Sequence, residues 1–156
     1  EVAIGEADLL LFLVDAKAGL NPNDARVAEL LSGSGKPWML VDNKVDDPRA
    51  TDYYEFYELG AGEPVPVSAL NGKGSGDLLD VLVSHLPQRD EAADDALHVA
   101  VVGRPNVGKS SLVNRLLGAE RLVVSEEAGT TRDAIDTPMT YHGRTLFIIE
   151  SAGVRR

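Results

Sequence analysis

The hydrophobic positions of the chain alternate between short apolar runs and segments with helical spacing. Continuous apolar runs, such as residues 9–14, are typical of strands buried on both faces of a parallel sheet. The pattern predicts six strands, at residues 9–14, 37–41, 64–67, 98–102, 137–141 and 145–150. It also predicts helices that begin at Pro22 or cover residues 52–59, 77–86 and 109–117. This alternation predicts an α/β fold with a mostly parallel six-stranded sheet.

The first long helix has a clear predicted start. Asn21 is a favourable N-cap and Pro22 is suited to the first helical position. Val27, Leu30 and Leu31 are expected to form the buried face of this helix.

Composition narrows the class of protein. The chain has 156 residues, a formal net charge of -10 and no cysteine. These values exclude a disulfide scaffold, a zinc-thiolate site and a broadly basic nucleic-acid surface. The longest apolar run has six residues, too few to span a bilayer. We therefore expect a soluble, cytoplasmic protein without a membrane partner or a direct nucleic-acid patch.

The acidic segment at residues 87–96 is predicted to be a solvated linker. It separates residues 1–86 from residues 97–156, which we treat as two structural segments. Because the chain begins at Glu1 without methionine, we expect it to be a piece of a longer protein.

The strongest chemical signal is GRPNVGKS, which fits the phosphate-binding loop pattern G-x-x-x-x-G-K-[ST] between a predicted strand and a helix. Glycines let backbone N–H groups surround a phosphate, Lys109 supplies an ammonium and the Ser110 hydroxyl can ligate Mg²⁺. The four fixed positions occur by chance in roughly one in 200 chains of this length. The predicted phosphate-binding residues are Gly103, Arg104, Pro105, Asn106, Val107, Gly108, Lys109, Ser110 and Ser111.

Two further motifs follow predicted strands and suit recognition of a guanine base. In Asn43-Lys44-Val45-Asp46, the carboxylate can accept hydrogen bonds from the N1–H and 2-amino groups, and the lysine stem can cover the base. Asn43 is expected to hold neighbouring loops together. Ser68-Ala69-Leu70 can present a backbone N–H to the guanine oxygen. Alone, each motif also fits an ordinary turn; beside a phosphate loop they indicate a guanine site.

Three more residues belong to the predicted phosphate end. Thr131 lies in a long polar loop, where it can close over Mg²⁺ and the terminal phosphate. Glu150 can hold a water on Mg²⁺, and the Gly153 N–H can contact the same phosphate. The predicted metal-site residues are therefore Ser110, Thr131 and Glu150. An ordinary polar surface loop remains the alternative for the segment around Thr131.

Five motifs, GRPNVGKSS, GTTRD, SAGVRR, NKVD and SAL, resemble those of the translation-factor-like (TrmE-Era-EngA) GTPases. The surrounding residues are most similar to the tandem-domain bacterial ribosome-assembly members of that family. The resemblance covers nearly the whole chain. It implies a P-loop NTPase fold, GTP and GDP binding, GTP hydrolysis, Mg²⁺ and a switch role in maturation of the large ribosomal subunit. It also implies catalytic roles for Lys109, Thr131 and Asn106, the last through a K⁺ ion.

The chain departs from that family in two ways. The third motif of the family normally begins with Asp, whereas this chain has Glu150, whose extra methylene would crowd the water on Mg²⁺. The motif order is also circularly permuted, because NKVD and SAL precede the phosphate loop. Residues 1–86 resemble the second half of one G domain and residues 97–156 the first half of the next. We expect the two halves to form one permuted G domain, as natural permuted GTPases have this order.

Three functions remain open from the sequence. The first is a GTPase. The second is a guanine-nucleotide-binding module with impaired or no hydrolysis, favoured by Glu150. The third is an ATP-specific P-loop enzyme, which would leave Asp46 and Ser68 without a role.

Overall fold

The computed structural model describes residues 2–49, 53–86, 96–118, 123–124 and 137–150. Its helices are α1 (Val2–Glu6), α2 (Pro22–Gly33), α3 (Ser75–His85) and α4 (Lys109–Leu117), with a 3₁₀ helix at Tyr54–Leu59. Its strands are β1 (Leu9–Asp15), β2 (Trp38–Asn43), β3 (Val65–Pro66), β4 (Leu97–Val102), β5 (Val123–Val124), β6 (Thr137–Tyr141) and β7 (Arg144–Glu150). Within these residues, no helix combines the length and apolarity needed to cross a membrane.

The strands form one sheet in the order β3-β2-β1-β4-β7-β6-β5. The first five strands of that order pair in parallel, and β6 and β5 pair antiparallel at one edge. The predicted α/β class and all six predicted strands are confirmed. The two-residue β5 is an addition, because its surroundings were predicted to be mostly loop.

The centre of the sheet joins the two segments of the chain. β1 from residues 1–86 pairs in parallel with β4 from residues 97–156, in a register that sets Leu9 beside Val99 and Phe12 beside Val102. The two segments are also joined at the amino ends of β1 and β4. There, Asp8 N–H donates to His98 O at 2.7 Å, and His98 N–H donates to an Asp8 carboxylate oxygen at 2.9 Å. A single sheet is therefore built from both segments.

Each face of the sheet carries its own apolar cluster because strand residues alternate between the faces. One cluster packs beneath α3 and α4 and includes Leu11, Val41, Leu82, Val101 and Leu112. The other packs beneath α2 and the 3₁₀ helix and includes Phe12, Leu31, Leu40, Phe56 and Val102. β1 and β4 are buried on both faces, as the continuous apolar runs predicted.

The start of α2 agrees with the sequence prediction, but its buried face does not fully do so. Asn21 is the N-cap in a reciprocal capping box with Asp24, and Pro22 opens the helix. Val27 and Leu31 are buried, whereas the prediction that Leu30 is buried was wrong: this side chain is 44% exposed. Leu30 is about 100° around the helix from Leu31, which turns it away from the sheet.

The short helix predicted at residues 52–59 corresponds to the 3₁₀ helix Tyr54–Leu59, which is followed by Gly60 in a left-handed conformation (φ 82°). Its apolar contacts with the core come from Phe56 and Leu59, both buried. Tyr54 stacks on Tyr53 and Tyr57 with ring centroids 5.2 and 6.0 Å apart, respectively. Tyr54 and Tyr57 thus lie exposed at the surface, whereas Tyr53 also packs against the apolar cluster on this face of the sheet.

Candidate functional site

The site lies where three parallel strands end. β1, β2 and β4 are neighbours in the sheet, so their carboxyl ends share one edge. Ligands of open α/β sheets bind at such an edge. Residues 103–110, which we call the phosphate end, follow β4. Asn43, Lys44, Asp46 and residues 68–71, which we call the base end, follow β2 and β3.

The glycines of the phosphate end are required by close packing. A Cβ at Gly103 would lie 2.5 Å from the Leu13 carbonyl oxygen of β1. Gly108 adopts φ 102° at the start of α4, and a Cβ there would collide with the Asn43 side-chain amide. Larger residues at these positions would push the loop away from the two strands beside it. The glycine spacing therefore matches a structural need at both positions.

Lys109 points back into the phosphate end. Its side chain is largely buried, and its Nζ donates to the carbonyl oxygens of Gly103 at 2.9 Å and Arg104 at 2.8 Å. Burial lowers the pKa of the Lys109 ammonium, while Glu150 acts in the opposite direction. The charge is thus held at the centre of the loop by neutral acceptors, where an anion would be a stronger partner.

The phosphate end is tied to the first segment through Arg104. Its Nε donates to Asp24 at 2.7 Å and a second guanidinium nitrogen donates to the same carboxylate at 3.3 Å. Asp24 is fully buried at the start of α2, where it also accepts from Asn21 N–H. Because this ion pair is bidentate and shielded, it fixes the position of the loop relative to α2.

Asn43 links the two ends of the site. Its amide nitrogen donates to Val107 O at 2.8 Å, and its amide oxygen accepts from Ala69 N–H at 3.0 Å. Asn43 and Val107 are both buried. One side chain therefore connects the phosphate loop, the end of β2 and the loop after β3, as its predicted role requires.

Lys44 supports the same junction. It adopts φ 69°, and its Nζ contacts Asp15 at 2.5 Å and donates to Asn106 O at 3.2 Å. The pKa of Asp15 is lowered by hydrogen bonds from Lys44 and from backbone N–H groups, against an opposing effect of burial. The lysine stem therefore lies between β1 and the phosphate loop. Asn106 itself adopts φ 64° and is exposed.

Asp46 is the centre of the polar network at the base end. One carboxylate oxygen contacts Lys17 Nζ at 2.6 Å, and the other accepts from Ser68 Oγ at 2.9 Å and from the Asn71 amide at 3.0 Å. Hydrogen bonds from Lys17 and Ser68 lower the pKa of Asp46. The carboxylate is therefore ionised at neutral pH and remains partly open to solvent, as an acceptor for guanine must be.

The loop after β3 is held by the first helix of the other segment. Arg115 of α4 donates from Nε to Ala69 O at 2.9 Å and from a terminal nitrogen to Leu70 O at 2.5 Å. Leu70 is 83% exposed. A cavity of about 250 Å³ lies between this loop and α4, and it is lined by Ala69, Leu70, Ser111, Asn114, Arg115 and Gly118.

Ser110 and Glu150 meet at the opposite side of the phosphate loop. The Ser110 hydroxyl donates to a Glu150 carboxylate oxygen at 2.6 Å. A hydroxyl and a carboxylate are oxygen ligands suited to Mg²⁺, which also takes ligands from substrate phosphates and water. Within the described residues there is no group of three or more His, Asp or Glu side chains that could hold a metal. The pair therefore supplies two oxygen donors of the kind that Mg²⁺ takes, next to the phosphate loop.

One buried group near the base end has no partner among the described residues. Both carboxylate oxygens of Asp42 lack a hydrogen bond there, although Asp42 is fully buried. Burial, and secondarily the negative charge of Glu55, raise the pKa of Asp42 to about 8. The side chain is therefore protonated at neutral pH.

Some of the predicted site residues lie at the rim of the site, and others lie outside the described residues. Pro105 and Ser111 are exposed at the rim of the phosphate end. Thr131 and Gly153 lie outside the described residues, so their predicted roles stay predictions. Sequence reasoning missed several contributing side chains, namely Asp15, Lys17, Asp24, Asn71 and Arg115. Asp15 and Lys17 could have been found from their positions in the sequence: Asp15 ends β1 and Lys17 follows it, and β1 lies beside β2 in the sheet.

Comparison with known proteins shows that the sequence is similar to those of GTPases. Residues 98–156 match the family described as 50S ribosome-binding GTPase. The chain is 64% identical over 154 residues to GTPase Der of Gemmatimonas aurantiaca, covering 99% of this chain and 35% of that protein. It is 53% identical over 158 residues to GTPase Der of Desulfitobacterium hafniense, covering 100% of this chain and 36% of that protein. The chain thus spans about a third of the length of these curated relatives.

A solved structure supports the fold alone. YjeQ from Thermotoga maritima superposes with a TM-score of 0.60 at 20% identity, covering 94% of this chain and 48% of that one. At 20% identity, this similarity extends to the fold and not to the activity of the chain. Because the matches to GTPase Der cover 99–100% of this chain but about a third of those proteins, the chain corresponds to a segment of the Der (EngA) GTPases.

Proposed function

We propose that this chain binds GTP and GDP in one site assembled from both of its segments, and that it hydrolyses GTP. The observation that carries the proposal is the Asn43 bridge, which joins the phosphate loop through Val107 O and the base-reading loop through Ala69 N–H. The two bonds fix the separation between a phosphate-binding and a base-reading element. A nucleotide is the class of ligand that needs both elements at a fixed separation.

In this proposal each end recognises one part of the nucleotide. Lys109 and the N–H groups at the start of α4 bind the phosphates, because the helix N-terminus and the ammonium both favour anions. Asp46 accepts hydrogen bonds from the N1–H and 2-amino groups of guanine. Adenine has neither donor at these positions, so the ionised carboxylate selects guanine.

Hydrolysis is proposed to depend on Mg²⁺ held by Ser110 and Glu150, with Thr131 closing over the terminal phosphate. The metal would neutralise charge that develops on the phosphates. A K⁺ ion near Asn106 and a role as a switch in large-subunit biogenesis rest on the family resemblance. The match of residues 98–156 to a 50S ribosome-binding GTPase family supports the ribosomal partner.

The domain organisation is part of the proposal. Residues 1–86 and 97–156 would act as the two halves of one circularly permuted G domain, joined by the acidic linker at 87–96. The parallel pairing of β1 with β4 and the Arg104–Asp24 ion pair support it, because both cross between the halves. In a longer protein of this family each half could instead pair with a half outside this chain.

The test is binding of fluorescent GDP to the 156-residue chain, followed by competition with unlabelled GDP, GTP and ATP. Gel filtration with GDP should give a compact monomer. The proposal expects competition by both guanine nucleotides and none by ATP at the same concentration. Competition by ATP as strong as by GTP would reject the proposed selectivity for guanine, stronger competition by ATP would support an ATP-specific enzyme, and no binding of any nucleotide would reject the proposal.

A second candidate is a guanine-nucleotide-binding module that does not hydrolyse GTP. The direct Ser110–Glu150 hydrogen bond favours it, because it engages the hydroxyl that would ligate Mg²⁺. Single-turnover hydrolysis with K⁺ and with Na⁺ distinguishes the two candidates. Phosphate release accelerated by K⁺ supports the GTPase, and tight GTP binding without phosphate release in either salt supports the module.

A further inference from the structure

Arg115 occupies an unusual place between the two segments. It lies on the exposed side of α4, yet its guanidinium reaches the loop after β3 in the other segment and donates to two successive carbonyl oxygens, those of Ala69 and Leu70. The loop closes around it, because a Cβ at Gly72 would lie 3.3 Å from an Arg115 nitrogen. A planar guanidinium with donors in a fixed geometry can hold two carbonyls at once.

The first of these bonds also fixes a donor on the opposite side of the peptide. The described peptides are all trans, and in a trans peptide the C=O of one residue and the N–H of the next point in opposite directions. Because Arg115 holds Ala69 O, the Leu70 N–H is held pointing away from the guanidinium. Within the described residues this N–H donates to no acceptor.

The second bond connects Arg115 to the network of Asp46. With Leu70 O held, the following Asn71 N–H points away and donates to Ser68 Oγ at 3.3 Å. Ser68 Oγ in turn donates to Asp46. The peptide groups that Arg115 binds therefore belong to the same short loop that positions the Asp46 carboxylate.

We propose that Arg115 is a positioning residue for guanine recognition: by holding Ala69 O and Leu70 O, it orients the Leu70 N–H towards the 6-oxygen of the bound base. This inference rests on the proposed nucleotide site and names a determinant of its specificity. Arg115 itself touches neither the base nor the phosphates. It couples the helix of the phosphate end to the loop of the base end.

The experiment compares the affinities of three diphosphates for the parent chain and for Arg115→Gln. GDP carries the 6-oxygen, the N1–H and the 2-amino group, and IDP lacks only the 2-amino group. The 6-thio analogue of GDP keeps both donors but has sulfur, a weak acceptor, in place of the 6-oxygen. Arg115→Gln should weaken GDP and IDP about five- to tenfold and the 6-thio analogue much less, since only a strong acceptor at position 6 gains from the oriented N–H. The GDP-to-IDP ratio, which depends on Asp46, should stay constant.

Two further variants make the test decisive. Arg26→Gln removes an exposed arginine from α2 and should change none of the three affinities. Arg115→Lys keeps the charge but loses the paired donors, so it should show a smaller change of the same pattern. It also serves if the glutamine variant fails to fold.

The possible outcomes separate this inference from the proposed function. An equal loss for all three nucleotides, or no loss in either Arg115 variant, would overturn the positioning role while leaving the nucleotide site intact. A parent chain that binds none of the three would instead remove the proposed function. Selective weakening of the two 6-oxo nucleotides supports the inference.

Discussion

The two ends of the site hold their charged groups in different ways. At the phosphate end, Lys109 is largely buried and its ammonium is held by two backbone carbonyls. At the base end, Asp46 is partly exposed and is held by the side chains of Lys17, Ser68 and Asn71. One end is thus built by backbone conformation and the other by a side-chain network. The difference predicts that the phosphate end tolerates substitution far less well.

The largest effect is expected from Lys109→Ala. The change removes the cation at the centre of the phosphate loop and leaves the carbonyl oxygens of Gly103 and Arg104 facing an incoming anion. GDP affinity should fall by about a hundredfold or more, the loss expected when a buried charged partner is removed. Lys36→Ala, on the surface, is the matched control and should leave affinity unchanged. Affinity within a few-fold of the parent in Lys109→Ala would contradict the phosphate-loop assignment.

Asp46→Asn should change specificity more than overall binding. An amide cannot accept both guanine donors, but its NH₂ group can donate to the 2-oxo group of xanthine. We expect the preference for GTP over XTP to shift towards XTP by about two orders of magnitude. Asp47→Asn alters the neighbouring aspartate, which accepts from Arg49 N–H, and should retain the parent preference. An unchanged preference in Asp46→Asn would mean that residues 43–46 form only a turn.

Asp42→Ala tests whether the buried Asp42 carboxyl, next to the base end, destabilises the folded chain. Removing a buried carboxyl with no partner among the described residues should raise the free energy of unfolding by about 1–3 kcal/mol. Denaturant unfolding measures this change. Below about pH 4, where the carboxyl is protonated in both the folded and the unfolded chain, the near-isosteric Asp42→Asn keeps a buried polar group and should show little of this gain.

The same residue makes a pH prediction. The pKa of Asp42 is about 8 in the folded chain against an ordinary value of 3.8, so the unfolded chain gives up this proton first as pH rises. Its contribution therefore lowers the stability progressively from about pH 4 to about pH 8, and that loss levels off above pH 8. Both Asp42 variants should flatten this part of the profile. Identical pH slopes in the parent and in Asp42→Asn would refute the assignment.

The smallest effect is expected from Glu150→Asp at the metal side of the phosphate end. Shortening the side chain by one methylene should break the 2.6 Å contact with Ser110 and free its hydroxyl. Magnesium tolerates little distortion of its octahedral geometry, so GTP hydrolysis should rise a few-fold with GDP affinity unchanged. Phosphate release at saturating Mg²⁺ and K⁺ measures the rate. Equal rates in the two proteins would place the limit on hydrolysis elsewhere.

Local patterns predicted the backbone of the site better than its side-chain partners. Gly103, Gly108 and Lys109 were recognisable because the loop needs those residue types at fixed spacing. The contacts of Arg115 and Lys17 were not, since each joins positions far apart in the sequence and neither belongs to a short motif. Tertiary packing, rather than any local propensity, decides such pairs.

Local sequence patterns also predicted some parts of the fold and missed others. Apolar runs identified the buried strands β1 and β4, because a strand covered on both faces needs such residues along its whole length. Leu30 was misplaced because neighbouring apolar positions on a helix differ by about 100° in direction, and only contact with the sheet selects one of them. Asp42 is buried without a hydrogen-bond partner in the described part of the chain, contrary to the usual pattern of polar residues, so no sequence rule would place it in the core.

The pairing of β1 with β4 governs the order in which this fold can form. Leu9 and Val99 become neighbours only after about ninety intervening residues have been synthesised, and contacts of such long range slow folding. In the 156-residue chain by itself, β1 has an unpaired edge until β4 forms, although all seven of its residues are buried in the folded sheet. An edge of that kind is a template for association with other chains. For the 156-residue chain by itself, forms truncated before residue 97 lack β4 and should therefore aggregate more readily than the complete chain.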